Sequence, residues 1–217
     1  MSNILVSGVA TASTTLSQAL TEAEQLVVSG QSIVLLVDTT HQLSNTVIAQ
    51  YWPGKQLRPN GTATTNGGIS VKFATKLSGF HPNPGDVVLA YFATDPLMDF
   101  VHDKNTLNHN VDVVVVEDLL GAPNWVMRTQ PTYVPASSQS SPTPLFQNQA
   151  HDALVENEID QINKSSSVLH RYDKNKLKLG FKALKNQGHT LVANEVRNKA
   201  MTKRASSVLA DSIAKLI

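Results

Sequence analysis

Hydroxyl and acidic side chains follow four short apolar segments of the chain, where they could bind or transform a small ligand. If these segments are parallel strands, their carboxyl ends meet at one edge of a sheet, which is where ligands bind in open α/β sheets. The residues in these positions are Ser7 and Gly8, then Asp38, Thr39, Thr40 and His41, then Thr94 and Asp95, and finally Glu117 and Asp118.

Two kinds of binding chemistry fit these side chains. The carboxylates of Asp38, Asp95, Glu117 and Asp118 are hard oxygen ligands that could hold Mg²⁺, which makes Mg²⁺ the candidate cofactor. Hydroxyl groups, together with the amide groups at helix amino termini, favour an anion such as phosphate. The predicted anion-binding residues are Ser7, Gly8, Thr39, Thr40, Thr94 and Asp95.

Three of the residues have side chains suited to acid–base catalysis. Asp38 and Glu117 could donate or accept a proton, and His41 stands three residues after Asp38. Helix capping is the competing interpretation, because Asp and Thr directly after a strand commonly cap the next helix. That interpretation is strongest at Asp95, which Pro96 follows. Whether the protein is an enzyme is therefore left open.

Several familiar motifs are missing from the sequence. The chain has no cysteine, so disulfides, thiolate metal ligands and cysteine nucleophiles are excluded. The segment Ser7–Thr11 lacks the G-x-G-x-x-G spacing of dinucleotide-binding loops. The chain also has no G-x-x-x-x-G-K-[ST] phosphate loop and no G-x-S-x-G nucleophile elbow. These absences argue against NAD or FAD binding in the usual manner, P-loop ATPase chemistry and serine hydrolase chemistry.

Apolar runs without alternation predict the elements that would position these residues. Segments 32–37, 87–92 and 111–116 are almost continuously apolar, as strands covered on both faces are. A segment of helix length joins the last two, which indicates a strand, a crossover helix and a parallel strand. The predicted fold class is α/β: a mostly parallel sheet flanked by helices, in a three-layer, Rossmann-like arrangement, followed by a helical C-terminal region.

Three local patterns predict further details. Ser13 or Thr14 is expected to cap the first helix, since both carry a hydroxyl group close to its start. The segment 42–52 is expected to form one helix, and residues 125–128 an edge strand.

Composition predicts the division of the chain. Residues 1–134 form the α/β domain, 135–149 a Pro- and Ser-rich linker, and 150–217 the helical region. Residues 1–150 contain 6 Lys and Arg against 10 Asp and Glu, whereas residues 151–217 contain 12 against 7. The net charges of −4 and +5 indicate two regions with different surfaces.

The function predicted first is binding of a small anionic ligand, phosphorylated or nucleotide-like, at the strand carboxyl ends. Mg²⁺-assisted hydrolysis or transfer is the chemistry that would accompany it. The alternative is a non-catalytic interaction protein whose basic helical region contacts a protein partner, with nucleic acid as a weaker alternative. No apolar run has the roughly 18 residues of a membrane helix and no secretory signal is visible, so we expect a cytoplasmic protein without membrane contact. A homo-oligomer is compatible with this pattern.

Overall fold

The structure is a computed structural model that describes residues 2–55, 57–108, 111–119, 121–135 and 144–217, with residues 105–108 described by their backbone alone. The chain divides into two compact units, each described here by itself. The first comprises Met1–Pro123 and Gln130–Ser140, and the second comprises Asn124–Thr129 and Ser141–Ile217. The predicted linker, residues 135–149, lies in large part outside the described residues.

The first unit is built on a seven-stranded sheet with the order β3-β4-β2-β5-β6-β1-β7. Every neighbouring pair in that order is parallel except β3 and β4 at one edge, which are antiparallel. The predicted mostly parallel sheet is therefore confirmed. The strands are β1 (Asn3–Val6), β2 (Ile33–Val37), β3 (Thr62–Thr64), β4 (Ser70–Thr75), β5 (Val87–Ala93), β6 (Asp112–Glu117) and β7 (Thr132–Val134).

Helices follow most of the strands along the chain, and the second unit is entirely helical in its described part. Nine helices are present among the described residues. They are α1 (Ser13–Leu26), α2 (Thr40–Ser44), α3 (Val47–Tyr51), α4 (Asp95–Asn108), α5 (Pro123–Thr129), α6 (Ala150–Asp160), α7 (Arg171–Asn186), α8 (Ala193–Thr202) and α9 (Ser207–Ala214).

Both faces of the sheet are covered, which explains why its strands are apolar without alternation. On one face, side chains such as Leu35 and Leu89 join α1, α2 and α3 in one core. On the other face, Leu36 and Ala90 are 0% exposed, and the helix α4, which packs on β5, buries its own Leu97. The three-layer arrangement is thus confirmed.

Three local predictions differ from the structure. Residues 125–128 are not an edge strand but part of the helix α5, and the edge strand β7 comes later. The expected helix over 42–52 is two short helices, because Thr46 lies between them and caps α3 by accepting a hydrogen bond from the Ile48 amide. The N-cap of α1 is Ala12, so Ser13 and Thr14 lie inside the first turn.

The second unit has its own apolar core, which confirms the predicted helical C-terminal region. Val155 of α6, Phe181 of α7, Val196 of α8 and Leu209 of α9 are at most 1% exposed and belong to one cluster. No helix in the described part of the chain is both long and apolar enough to cross a membrane.

Candidate functional site

The carboxyl ends of the parallel strands meet along one edge of the sheet, as predicted. Val37 of β2 is level with Thr75 of β4, Tyr91 of β5 with Val116 of β6, and Leu5 of β1 with Val115 of β6. The predicted site residues come directly after these positions. They are therefore spread along a row of strand ends rather than gathered at one point.

Asp38 and His41 lie at the β2 end of that row. Two strands, β5 and β6, separate β2 from β1, so the chain after β2 is about 14 Å from the chain after β1 at the usual spacing of strands. Asp38 is half-buried and His41 is exposed. No hydrogen bond or ion pair joins Asp38, His41 and Glu117 in the described structure. The proposed catalytic roles of these three residues stay predictions.

Glu117 and Asp118 are used in the turn that follows β6. The Glu117 carboxylate accepts a hydrogen bond from the Ala122 amide at 2.8 Å, and the Asp118 carboxylate accepts one from the Leu119 amide at 2.8 Å. The Asp118 carbonyl accepts a further hydrogen bond from the Gly121 amide at 2.9 Å. These contacts give both acidic residues a structural use.

Thr39 caps the helix α2. Its hydroxyl accepts a hydrogen bond from the Gln42 amide, and its own amide donates to the Gln42 side chain at 2.9 Å, which together form a capping box. Thr40 follows as the first, exposed residue of α2. The competing interpretation of Thr39 as a cap therefore has direct support, and its amide is not available to an anion.

Thr94 and Asp95 lie at the amino terminus of α4, after the central strand β5 of the sheet. The Thr94 carbonyl accepts a hydrogen bond from the Met98 amide at 2.9 Å, so Thr94 precedes the helix and Asp95 is its first residue. An acidic side chain in the first turn compensates the positive end of the helix dipole. This end of α4 therefore already carries its own negative charge.

The four carboxylates suggested for Mg²⁺ do not form a group of metal ligands in the described structure. No three Asp, Glu or His side chains of the described residues lie together in an arrangement that could hold a metal ion. Mg²⁺ at Asp38, Asp95, Glu117 and Asp118 stays a prediction from the sequence.

A bulge interrupts β5 in the middle of this edge. Tyr91 pairs with Val116 and Ala93 with Glu117, so Phe92 is an extra residue, with a φ of 56°. A left-handed backbone is unfavourable for an aromatic residue, and such outliers and bulges occur often beside functional sites. The bulge places the rings of both Tyr91 and Phe92 in the core under α1, with their centroids 4.9 Å apart.

Tyr91 connects this bulge to the loop between β1 and α1. Its hydroxyl donates a hydrogen bond to the Ala10 carbonyl at 2.8 Å, and the residue is 0% exposed. Burial raises the pKa of the Tyr91 phenol well above its ordinary value of 10.0, so the phenol stays protonated and remains a donor. This hydrogen bond attaches the loop from Ser7 to Ala12 to the strand β5.

We expect Tyr91→Phe to lower the free energy of unfolding of the first unit by about 1 to 2 kcal/mol, because the Ala10 carbonyl would lose its donor. Urea unfolding of a Trp125→Phe background, followed by the fluorescence of Trp52, would measure this. A variant as stable as the wild type would show that the hydrogen bond does not hold the loop.

Gly8 lies close against the first turn of α1. A Cβ atom at Gly8 would lie 2.5 Å from the hydroxyl oxygen of Thr15. Thr15 is only 6% exposed, and its hydroxyl has no hydrogen-bond partner in the described part of the chain. A mostly buried residue therefore directs at the loop a hydroxyl that is not among the fully buried, unpartnered atoms of the described residues and so stays accessible to a ligand.

The amino terminus of α1 lacks the usual compensation for its orphan amides. Ala12, the N-cap, offers no side-chain acceptor, and the first turn contains no acidic residue. The amides of Ser13 and Thr14 donate no hydrogen bond to any described residue, and both side chains are exposed. The result is a 14-residue helix with free amides and three consecutive hydroxyl side chains at its positive end.

Sequence reasoning identified part of this arrangement. Ser7 and Gly8 were predicted from the end of β1, but Thr15, Ser13 and Thr14 were not assigned to the site. The run Ser13-Thr14-Thr15 directly after the first strand and its loop was the available signal. We shall call Ser7–Thr15 the α1 loop site.

The chain matches no protein-family model, and neither a curated protein nor a solved structure matches it significantly.

Proposed function

We propose that the first unit binds a small ligand through an anionic group, such as a phosphate, at the α1 loop site. The observation that carries the proposal is the uncapped amino terminus of α1, with unused amides at Ser13 and Thr14 and the unpartnered Thr15 hydroxyl facing Gly8. Amides at the positive end of a long helix attract an anion, which would supply the acceptors that the chain itself lacks.

The position of the site in the sheet supports the same proposal. The loop follows the carboxyl end of β1, where open parallel sheets bind ligands. The Tyr91 hydroxyl holds Ala10 in place, so the loop is organised before any ligand arrives. Preorganisation of this kind reduces the entropy that binding would otherwise cost. Of the remaining strand-end residues, Asp38 is about 14 Å away along the edge, so only a ligand of that length would reach it.

The test uses the charge of one side chain. Thr14→Glu puts a carboxylate in the first turn of α1, where it should stabilise the helix by about 0.3 to 1 kcal/mol and fill the site. We expect this variant to melt at a higher temperature than the wild type without phosphate, and to show no further rise with phosphate. Inorganic phosphate is the probe, with sodium chloride keeping the ionic strength constant.

Phosphate at ten times its dissociation constant should stabilise the wild type by about 1.4 kcal/mol. That corresponds to a rise in melting temperature of about 3 to 6 °C for a chain of this size. The matched control is Gln25→Glu, which makes the same change of charge in the last turn of α1 and should keep the full response. A wild type that does not respond, or a Thr14→Glu variant that responds fully, contradicts the proposal.

We also propose, as a separate function of the second unit, that its basic helical region is a contact surface for a partner. Its support is the helix α7, which exposes Lys174, Lys178 and Lys182 without an ion pair to any described residue. The proposal does not depend on the α1 loop site, because the two lie in different units. Cytoplasmic location and a homo-oligomer stay predictions.

A further inference from the structure

The exposed side of α7 carries a row of positive charge. Arg171, Lys174, Lys178 and Lys182 are all exposed and follow one another at intervals of three or four residues. This spacing places them along one side of the helix over about 16 Å. We call these four residues the α7 basic row.

The row is costly to the folded helix. Lysines four residues apart repel one another, and an arginine in the first turn opposes the helix dipole. No hydrogen bond or ion pair of the four side chains to a described residue offsets this repulsion. Charge that destabilises its own helix and has no internal use points to a partner outside the unit.

The acidic residues of the second unit are engaged elsewhere. Lys199 binds Asp152 and Glu156, Lys203 binds Glu156 and Asp160, Arg197 binds Asp211, and Glu195 accepts from the Gln147 amide. Asp173 and Glu158 are the other two acids near α7. Asp173 is half-buried, and Glu158 lies over Gly180, on the side of α7 opposite to the basic row. The row is therefore not neutralised from within.

An anionic membrane fits this surface poorly. A helix that lies in a membrane interface must insert its apolar face, yet Leu177, Phe181 and Leu184 of α7 are 0%, 1% and 6% exposed within the core of the unit. Only two large apolar side chains of α7 are exposed, Tyr172 at 76% and Leu179 at 70%. They project about 100° around the helix from the row residues that directly precede them, Arg171 and Lys178, so they are not opposite to the row.

We propose that the α7 basic row binds the phosphodiester backbone of nucleic acid, with a base of a single strand stacking on Tyr172; this rests on the proposed function of α7 as a contact surface. A row of cations tracks a backbone of regularly spaced charges. The exposed ring of Tyr172, next to Arg171 at the end of the row, is a surface on which a base of an unpaired strand can stack. The contact is not specific for sequence, because nothing in the row reads base edges.

The experiment measures fluorescence anisotropy of a labelled 20-nucleotide oligothymidylate and of a 20-base-pair duplex with the full chain, at several salt concentrations. We expect the single strand to bind more tightly. The test variant is Lys174→Gln/Lys178→Gln/Lys182→Gln, and the matched control is Lys55→Gln/Arg204→Gln/Lys215→Gln, which removes the same charge at other exposed positions. Circular dichroism checks folding, and the test variant should be at least as helical as the wild type.

The test variant should bind at least tenfold more weakly, and its slope of log affinity against log salt should fall by about 2, since roughly 0.7 is lost for each phosphate contact. Tyr172→Ala should lower the affinity for the single strand by about tenfold and leave the affinity for the duplex unchanged. If the control variant loses as much affinity for nucleic acid as the test variant, the inference is overturned.

Two further outcomes separate the inference from the proposal on which it rests. Binding of polyglutamate or of phosphatidylserine vesicles, without nucleic acid binding, would overturn nucleic acid as the partner and leave α7 as a contact surface. Absence of binding to every one of these polyanions would overturn both.

Discussion

Asp86→Ala is expected to lower the free energy of unfolding of the first unit by about 2 to 4 kcal/mol, chiefly because two amides lose their acceptor, since the Lys72 side chain is 35% exposed and can be solvated. The Asp86 side chain is 0% exposed, just before β5, at the edge of the sheet opposite to the candidate site. Its carboxylate accepts hydrogen bonds from the amides of Ser32 and Asn83, both at 2.8 Å, and pairs with Lys72 at 3.3 Å. Alanine would leave two amides and an ammonium group without their acceptor.

The two tryptophans allow this effect to be assigned to one unit. Trp52 lies in the core of the first unit and Trp125 lies in the second, and both are almost fully buried. In a Trp125→Phe background, urea unfolding followed by tryptophan fluorescence reports the first unit alone. Asp86→Asn keeps one acceptor oxygen, so its free energy of unfolding should fall less than that of Asp86→Ala.

Asp38→Ala is the matched control for Asp86, because Asp38 is a half-buried aspartate with no hydrogen bond to any described residue. We expect it to change the free energy of unfolding by no more than about 0.5 kcal/mol. A loss below about 1 kcal/mol for Asp86→Ala would mean that water satisfies the exposed amides, and would refute the structural role of the carboxylate.

Lys199→Met should lower the free energy of unfolding of the second unit by about 1 to 2 kcal/mol. The Lys199 side chain is 9% exposed and binds Asp152 and Glu156, each at 2.6 Å. Methionine fills a similar volume but leaves both carboxylates without this partner. These carboxylates are 48% and 36% exposed, so solvent reduces the penalty below that of a fully buried pair.

Lys164→Met is the control for Lys199. Lys164 binds Asp160 at 2.6 Å within one exposed turn, and such a pair contributes at most about 0.5 kcal/mol. In a Trp52→Phe background, the fluorescence of Trp125 reports the second unit alone. Equal losses for the two variants would show that burial of Lys199 does not matter.

The same ion pairs set how the stability of the second unit depends on pH. Hydrogen bonds from Lys199 and Lys203 hold the pKa of Glu156 below 4.5, and those from Lys164 and Lys203 hold the pKa of Asp160 below 3.8. The unfolded chain therefore takes up protons before the folded one as pH falls. Their stabilisation is complete above about pH 5 and is lost as pH falls through the folded pKa values.

The lysines determine the pH above which the second unit loses stability. Burial lowers the pKa of Lys199, but its ion pairs with Asp152 and Glu156 outweigh this and hold it above 10.5, while Glu156 and Asp160 raise the pKa of Lys203. Their stabilisation is complete below about pH 10 and is lost as pH rises through the folded pKa values. Urea midpoints of the second unit should form a plateau between these limits. If the urea midpoint of Lys199→Met falls less steeply than that of the wild type as pH drops below about 5, the assignment to these ion pairs is confirmed.

The candidate site was predictable in place but not in detail. Residues after parallel strands are recognisable because the strands are apolar runs, so Ser7 and Gly8 could be named. The use of each side chain was not recognisable, since a carboxylate that binds a ligand and one that closes a turn have the same sequence signature. Glu117 accepts from Ala122, and Thr39 from Gln42.

The helix α5 shows why one element was misassigned. Trp125 and Val126 suit a strand locally, yet Asn124 accepts hydrogen bonds from Asn194 and Asn198, and Arg128 donates to Asn198. Asn198 is 0% exposed, so this network lies inside the second unit. Partners some 70 residues away override the local preference.

The sequence by itself determined the strands, the parallel sheet covered on both faces and the helical region, because apolar periodicity is a property of neighbouring residues. Only the tertiary structure decided that Asp86 accepts from the Ser32 amide, that Thr15 faces Gly8, and that Lys199 and Lys203 pair with the acidic residues of α6. It also decided that Lys174, Lys178 and Lys182 of α7 stay exposed. The pairing of Asp86 with Ser32 and those of the lysines join residues distant in the chain, and the contact of Thr15 with Gly8 depends on how the loop folds back on α1. Such partners are set by where the backbone brings residues together.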